Sequence, residues 1–469
     1  MKQSKDILLE HYSPIISNVD SNILMDGTFR LDGQYYVLFD EVADSITTST
    51  FLDLNECCLE IYEVPPFKHI YVSEGVPFYT SSGLFENEFI PSHHLTPIMP
   101  NIEKYRIRKG QILMARSGNV DSGILGQIMI AGEILDKTTT SDHVIRFTVD
   151  ETKINKGYLA AFLMSDFCKG QLLKNAAGAV IPAIRPDSIR GLQIPLIYKN
   201  IQNLIGHKNI SAVERREAAI SKIKQARSLV LKYNNLTPLS DIKPEALDED
   251  GEVEIRMTSL DEFTQDYRLD AHFYNPTAKY AVDSVSSNGK TLGELCESIF
   301  MCDRFNRNYV EGNYGLPFLS GKNTIQIRPD VKYISLSETN SIESLQLKKG
   351  WITITRSGTL GRVCYIWNNY EDFTATEDLI RVVASDEIDS GYLYAFLSSD
   401  YGFHQILRYK HGAVIDHLAP EDLNSIVVPI CKQQKEIGDL VRKAYELRAE
   451  AIKLEDEAQE LLTQALTQG

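Results

Sequence analysis

The sequence predicts an α+β chain in which one β-rich domain occurs twice, each copy closed by a long helix, with the two helices paired. Three observations predict it. Blocks of sequence recur in one order at a nearly constant offset. Short β-rich runs precede a helical stretch in each copy. Each copy ends in a long Pro-free run with small or aliphatic residues at every seventh position.

The recurrence is legible block by block. RLDGQYY at Arg30 to Tyr36 answers RLDAHFY at Arg268 to Tyr274, and GVPFYTSS from Gly75 answers GLPFLSGK from Gly315. KGQILMARSG from Lys109 answers KGWITITRSG from Lys349. The offset then falls from 240 to 234 through a short deletion in the second copy. Beyond it GYLAAFLMSD from Gly157 answers GYLYAFLSSD from Gly391, and GAVIPAIRPDSIRGLQIP from Gly178 answers GAVIDHLAPEDLNSIVVP from Gly412.

The elements follow in chain order. Residues 1–28 are an N-terminal segment and 29–200 the first domain. Its runs HIYV, ILMARSG and VIRFTV are matched by WITITRSG, RVCYIW and LIRVVA in the second domain, 267–431. Gly-Tyr-Leu then opens a short amphipathic helix, 157–168 and 391–403. A Gly-Ala-Val-Ile loop follows, and Ile-Pro or Val-Pro ends the globular part. Long helices over 201–236 and 432–469 close the copies. In the first, Ile205, Ala212, Ala219, Ala226 and Tyr233 lie seven apart, with Ile223 and Val230 between them. In the second, Ile437, Ala444, Ala451, Ala458 and Ala465 lie seven apart and Leu440, Leu447, Leu454 and Leu461 interleave. A lone stalk would explain one such seam; two in one chain favour pairing with each other. Residues 237–266, with two prolines and ten acids, read as a solvated linker.

Composition narrows the function. The seven cysteines, with Cys57-Cys58 the only close pair, suggest reduced thiols in a cytoplasmic protein rather than a disulfide framework. No apolar run is long enough for a membrane span, and MKQSKDILLEHYSP does not read as a secretory signal. The net charge of −16 alone argues against nucleic acid. Its distribution does not. Residues 1–100 hold 4 bases and 15 acids and the linker 2 and 10, whereas residues 101–236 hold 21 bases and 11 acids. Any binding to nucleic acid by this chain alone should therefore be weak and carry a modest salt slope.

Catalytic signatures are missing. There is no GxxxxGK[ST], GxSxG or HExxH, and no Asn/Asp-Pro-Pro-Tyr/Phe of an amino-methyltransferase. Glu63-Val64-Pro65-Pro66-Phe67 is the nearest approach and reads as a loop. His93-His94 lacks a second metal ligand at a suitable spacing, and Thr376-Glu377-Asp378 has no counterpart at Ser141-Asp142-His143. Neither a metal nor a cofactor is expected, and elimination leaves a binding protein.

The binding candidates are the repeated turns. Arg116-Ser117-Gly118 and Arg356-Ser357-Gly358 each follow a strand, with Asn119, Thr359 and Arg362 beside them. Such an Arg and Ser can contact phosphate or read guanine; alternatively, the Arg pairs with an acid of its own domain. The loops Tyr79-Thr80-Ser81-Ser82 and Ser320-Gly321-Lys322-Asn323 are polar and differ between copies, as two sites reading different targets would. Lys174, Asn175, Lys410 and His411 flank the GAVI loops and could touch phosphates, or the loops could be ordinary helix caps.

This ordered, duplicated set of motifs resembles the specificity subunit of type I restriction-modification systems, over nearly the whole chain. The resemblance implies two target-recognition domains separated by an antiparallel two-helix coiled coil. Ala212, Ala219, Ile223 and Ala226 would then meet Leu440, Ala444, Leu447, Ala451, Leu454, Ala458 and Leu461. It further implies a non-catalytic subunit that reads a bipartite, asymmetric site in double-stranded DNA. Methyltransferase subunits, two of them, would dock around the coil, and restriction subunits would join the complex. The acidity of residues 1–100 and of the linker suggests a competing reading, a protein-interaction scaffold whose acidic face mimics DNA.

Overall fold

The computed structural model describes residues 46–48, 50–118, 124–174, 182–242, 268, 270–329, 331–337, 339, 342–368, 370–412 and 415–468. The first RLDxxxY block, the N-terminal segment and most of the linker lie outside these residues. The chain divides into two compact units. Unit 1 takes in the described residues up to Phe85, Phe89–Glu214 and the chain from Lys453 on; unit 2 takes in Glu86–Glu88 and Arg215–Ile452.

In unit 1, β1 (Phe51–Asp53) pairs antiparallel with β10 (Gln193–Pro195), so the two ends of the globular part meet. Between them, β2 (Cys58–Glu63), β6 (Ile112–Ala115), β7 (Ile128–Ile130) and β9 (Val144–Val149) form an antiparallel sheet in the order β2-β9-β6-β7. A second sheet holds β3 (Tyr71–Val72), β4 (Val76–Tyr79), β5 (His93–Leu95) and β8 (Thr139–Thr140) in the order β3-β5-β4-β8, with β4 and β8 parallel. β6 is buried on both faces because successive side chains enter different cores. Ile112 and Met114 join the core under the following helices, and Leu113 and Ala115 join a cluster with Leu84, Phe85 and Leu135.

Unit 2 repeats this topology. β11 (Gly289–Thr291) pairs with β20 (Val427–Pro429). One sheet runs β12 (Cys296–Phe300), β19 (Leu379–Ala384), β16 (Ile352–Thr355), β17 (Val363–Tyr365). The other runs β13 (Tyr309–Val310), β15 (Lys332–Ser335), β14 (Gly315–Leu319), β18 (Thr374–Ala375). Ile112 faces Phe147 in unit 1 and Ile352 faces Val382 in unit 2, the same register. A fully buried arginine recurs on β9 and β19. Arg146 donates to the carbonyls of Tyr105 (2.8 Å) and Arg106 (2.9 Å). Arg381 donates to those of Ala375 (3.0 Å), Leu379 (2.8 Å) and Thr376 (3.3 Å).

The expected amphipathic helices at 157–168 and 391–403 need correction. Each is two helices, α1 (Lys156–Met164) and α2 (Asp166–Lys174) in unit 1, and α5 (Ser390–Leu397) and α6 (Asp400–Arg408) in unit 2. They break at Ser165 and Ser398-Ser399, where hydroxyls fold back onto the Phe162 and Phe396 carbonyls at 2.6 Å. α1 and α5 are not amphipathic: Gly157–Leu163 and Gly391–Leu397 are buried all round, between a sheet and a long helix.

The glycine of Gly-Tyr-Leu explains that burial. The long helices are α3 (Lys199–Tyr233) and α7 (Gln434–Thr467). A Cβ on Gly157 would lie 2.4 Å from the Gly206 carbonyl oxygen of α3, and one on Gly391 would lie 2.7 Å from Gly438 Cα of α7. Glycine faces glycine in both copies, and backbones touch. Asn155 and Asp389 cap α1 and α5 and press on the same glycines.

The long helices run antiparallel to each other in each unit. In unit 1 Lys208 of α3 pairs with Glu457 of α7; in unit 2 Arg215 pairs with Glu450 at 3.1 Å and Tyr233 reaches Glu436 at 3.1 Å. α3 buries Ile205, Ala212, Ala219, Ile223, Ala226 and Val230, the expected heptad, while Tyr233 is half-buried. On α7, Ile437, Ala444, Ala451 and Ala458 are buried and Ala465 is half-buried. The interleaved row is one residue over: Val441, Arg448, Glu455 and Leu462 are buried, whereas Leu440, Leu454 and Leu461 are half-buried and Leu447 is buried at its edge. α7 packs on strands and α5 as well as on α3, which widens and rotates its buried stripe.

Unit 2 also incorporates a three-residue piece of the first copy. Glu86 bridges to Gln326, its counterpart at offset 240, and Asn87 N–H donates to Ile325 O at 2.7 Å. Glu88 accepts from both Arg227 Nη atoms (2.6 and 3.2 Å) and from the Tyr394 hydroxyl (3.1 Å), with Arg448 at 3.6 Å. Burial alone would push the Glu88 carboxyl up; Arg227 and Arg448 overcome it and hold the group at about 2.

Candidate nucleic-acid interface

Three segments meet at one end of the first sheet in each unit. β6 is followed by Arg116-Ser117, beside His143 just before β9, and the chain after the GAVI loop closes over both. Arg116 N–H donates to His143 O (3.0 Å), Ile184 N–H donates to Arg116 O (2.7 Å), and Ser117 bridges to Ala183. The Ser117 hydroxyl lies 2.8 Å from His143 Nδ1. In unit 2, Arg356 N–H donates to Asp378 O (3.1 Å) and Leu418 N–H to Arg356 O (3.1 Å). The third segment has the same backbone in both: Arg185 at φ −109°, ψ 146° and Ala419 at φ −108°, ψ 146° each precede a single helical turn opened by proline. Gly358, at φ +69°, lets the unit 2 turn reverse where other residues would be strained.

The structure places most of the candidate residues. Arg116 is paired with Glu63 of its own unit, the alternative that the sequence left open. Arg356 Nε donates to Leu418 O at 3.2 Å, and Arg362 pairs with Glu86 at 2.6 Å. Lys410 pairs with Asp416 at 3.0 Å, and His411 lies 3.5 Å from Asp422. Ser357 is half-buried, and Gly358 and Thr359 are exposed. Asn119, Asn175 and the side chain of Lys174 lie outside the described residues.

The polar loops serve their own turns. Thr80 Oγ1 accepts from Gly83 N–H at 3.1 Å and sits 3.1 Å from Ser82 Oγ, with Ser81 half-buried beside them. Asn323 Oδ1 accepts from the Ser320 N–H and hydroxyl at 2.9 and 2.7 Å, and Lys322 is exposed. Tyr79 is a correction: it is a core residue, 3% exposed, and burial pushes its hydroxyl up to about 12. Its side chain packs in the core cluster with Leu84 and Leu113 rather than standing on an exposed polar loop.

Motif identity between the repeats does not mark the positions around this turn whose side chains differ. His143 and Asp378, Ala183 and His417, and Arg185 and Ala419 occupy equivalent positions around the shared turn. The aligned repeats carried that signal, since these positions change within otherwise matching blocks. Among the described residues no group of His, Cys, Asp or Glu could hold a metal ion, and no helix is long and apolar enough to cross a membrane. Glu377, one of the carboxylates noted in the sequence, is paired with Arg307 at 2.8 Å.

Residues 286–458, which cover most of the second copy, match the family described as type I restriction modification DNA specificity domain. The chain resembles a type I specificity subunit. Similar solved structures include the type I S subunit from M. genitalium, at 17% identity over 90% of this chain and 96% of that one, TM-score 0.38. The HsdS subunit from Thermoanaerobacter tengcongensis is 16% identical over 89% and 96%, TM-score 0.28. A chain from a structural study of type I R-M complex assembly and conformational transition is 17% identical over 90% and 98%, TM-score 0.29. No curated protein matches the chain.

Proposed function

We propose that this chain is a non-catalytic, sequence-reading subunit that recognises a bipartite, asymmetric DNA site and recruits methyltransferase subunits, and through them restriction subunits, to it. One observation carries the reading. The same three-segment backbone is built twice, with a constant arginine at its centre and different side chains around it. A duplicated frame with unlike rims suits two half-sites of unlike sequence. The specificity-domain match over the second copy supports the same assignment.

The long helices would set the spacing. α3 has 35 residues, which at 1.5 Å each is about 52 Å, or roughly 15 base pairs as an upper bound on the spacer. The paired state of Arg116, Arg362 and Lys410 leaves much of the phosphate neutralisation to partner subunits. The test is selection of bound sequences from random DNA duplexes, using the full chain assembled with a type I methyltransferase subunit. A two-part motif with an unread spacer is the expected result. A one-part motif, or none, contradicts the proposal.

A further inference from the structure

We infer that the side chains at three equivalent posts beside the Arg-Ser-Gly turns decide which base pairs each copy reads. These are His143 and Arg185 in the first copy, and Asp378 and His417 in the second. The inference rests on the proposed DNA-reading function and names the residues that make the half-sites differ.

A residue identical in both copies cannot distinguish two half-sites. Arg116 and Arg356 are identical, and each is also held by its own unit, through Glu63 and the Leu418 carbonyl. They build the frame. Discrimination has to come from positions where the frame is shared and the side chain is not. The frame is shared at three of them. His143 and Asp378 each accept the arginine N–H through their carbonyls, at 3.0 and 3.1 Å. Ala183 and His417 each precede the residue whose N–H returns to that arginine, Ile184 and Leu418. Arg185 and Ala419 share φ and ψ to within a degree.

The chemistry at the posts is opposite in sense. The first copy offers a donor at Arg185 and, at His143, an imidazole that donates or accepts according to its tautomer. Arg185 is exposed, and His143 is exposed with Nδ1 engaged by Ser117, which leaves Nε2. An arginine fork matches guanine O6 and N7 in the major groove. The second copy offers an acceptor. Asp378 is half-buried as a residue, and a carboxylate accepts from the cytosine N4 amino group. His417 lies half-buried on the neighbouring segment, its backbone paired with that of His411 and its Nδ1 buried without a hydrogen-bond partner among the described residues. The half-site read by the first copy should therefore contain a guanine that Arg185 specifies. The half-site read by the second should contain a cytosine that Asp378 specifies.

The test repeats the selection from random duplexes with variants of the full chain in the same complex. Arg185→Ala should lower discrimination at one guanine in one half about tenfold, leaving the other half unchanged. Asp378→Asn should move one position of the other half from cytosine to adenine, which an amide reads through N6 and N7. Combining Arg185→Ala with Ala419→Arg should carry a guanine preference from one half into the other. The untouched half of each motif is an internal control for folding. A wild-type two-part motif that none of these variants alters overturns the inference and leaves the DNA-reading proposal standing. A wild-type complex without a two-part motif overturns both.

Discussion

Replacing Glu88 by Gln should destabilise unit 2, although Glu88 belongs in sequence to the first copy. Glu88 closes a buried cluster with Arg227, Arg448 and Tyr394, and its side chain is 19% exposed. Gln keeps the shape and one acceptor but leaves two guanidinium groups without their counter-charge. Breaking a buried pair from one side costs about 3–5 kcal/mol. The carboxyl lies at about 2 instead of its ordinary 4.5, a difference worth about 3 kcal/mol at neutral pH. The two routes agree on about 3 kcal/mol. The assay is urea unfolding followed by tryptophan fluorescence, because both tryptophans, Trp351 and Trp367, lie in unit 2. With a slope of about 3 kcal/mol per molar urea, the midpoint should fall by about 1 M. Because the folded carboxyl is depressed, its contribution is present above about pH 5 and is lost as pH falls towards 2. The gap between wild type and Glu88→Gln should therefore close over that window. A midpoint within about 0.2 M of wild type at pH 7, or a gap that persists at low pH, would refute the ionic account of this cluster.

Three further outcomes follow from the packing. Gly391→Ala places a Cβ 2.7 Å from the Gly438 backbone and should cost about 1–3 kcal/mol in thermal unfolding. Gly191→Ala, whose Cβ meets nothing within 4 Å, should leave the curve in place; equal effects would sink the close-approach argument. Burial pushes the thiols of Cys57 and Cys364 up to about 11 and those of Cys58 and Cys296 up to about 12. At pH 8 they should resist alkylation until urea unfolds the chain, and rapid native labelling of Cys57 by mass spectrometry would count against its burial. Deleting four residues, about one helical turn, from both α3 and α7 should change the spacer of the selected motif while keeping its half-site sequences; an unchanged spacer would remove the helices from that role.

Much of this fold is legible in the sequence because the chain states it twice. The offset of 240, then 234, fixes the equivalence of β6 with β16 and of α1 with α5 without any structure. The α3 heptad is equally direct, since small residues at constant spacing have one simple packing solution. The second row on α7 was misplaced by one residue because a helix lying against a domain as well as a partner buries a wider stripe than a coiled-coil seam. The amphipathic reading of Gly-Tyr-Leu failed for a related reason. A helix buried on every side carries no polar face to detect, and Gly157 against Gly206 is a contact between distant positions. Site residues were least legible. Arg116 was visible as a repeated cation, but its partner Glu63 is 53 residues away, and only the folded sheet brings them together. The same holds for the capture of Glu86–Glu88 by unit 2.

The most direct test of the central proposal is to map modified bases genome-wide in the organism that carries this gene, before and after its deletion. The account predicts that methylation disappears from one two-part motif, at both of its halves together, and that the intact gene restores it. A methylation map unchanged by the deletion would contradict it.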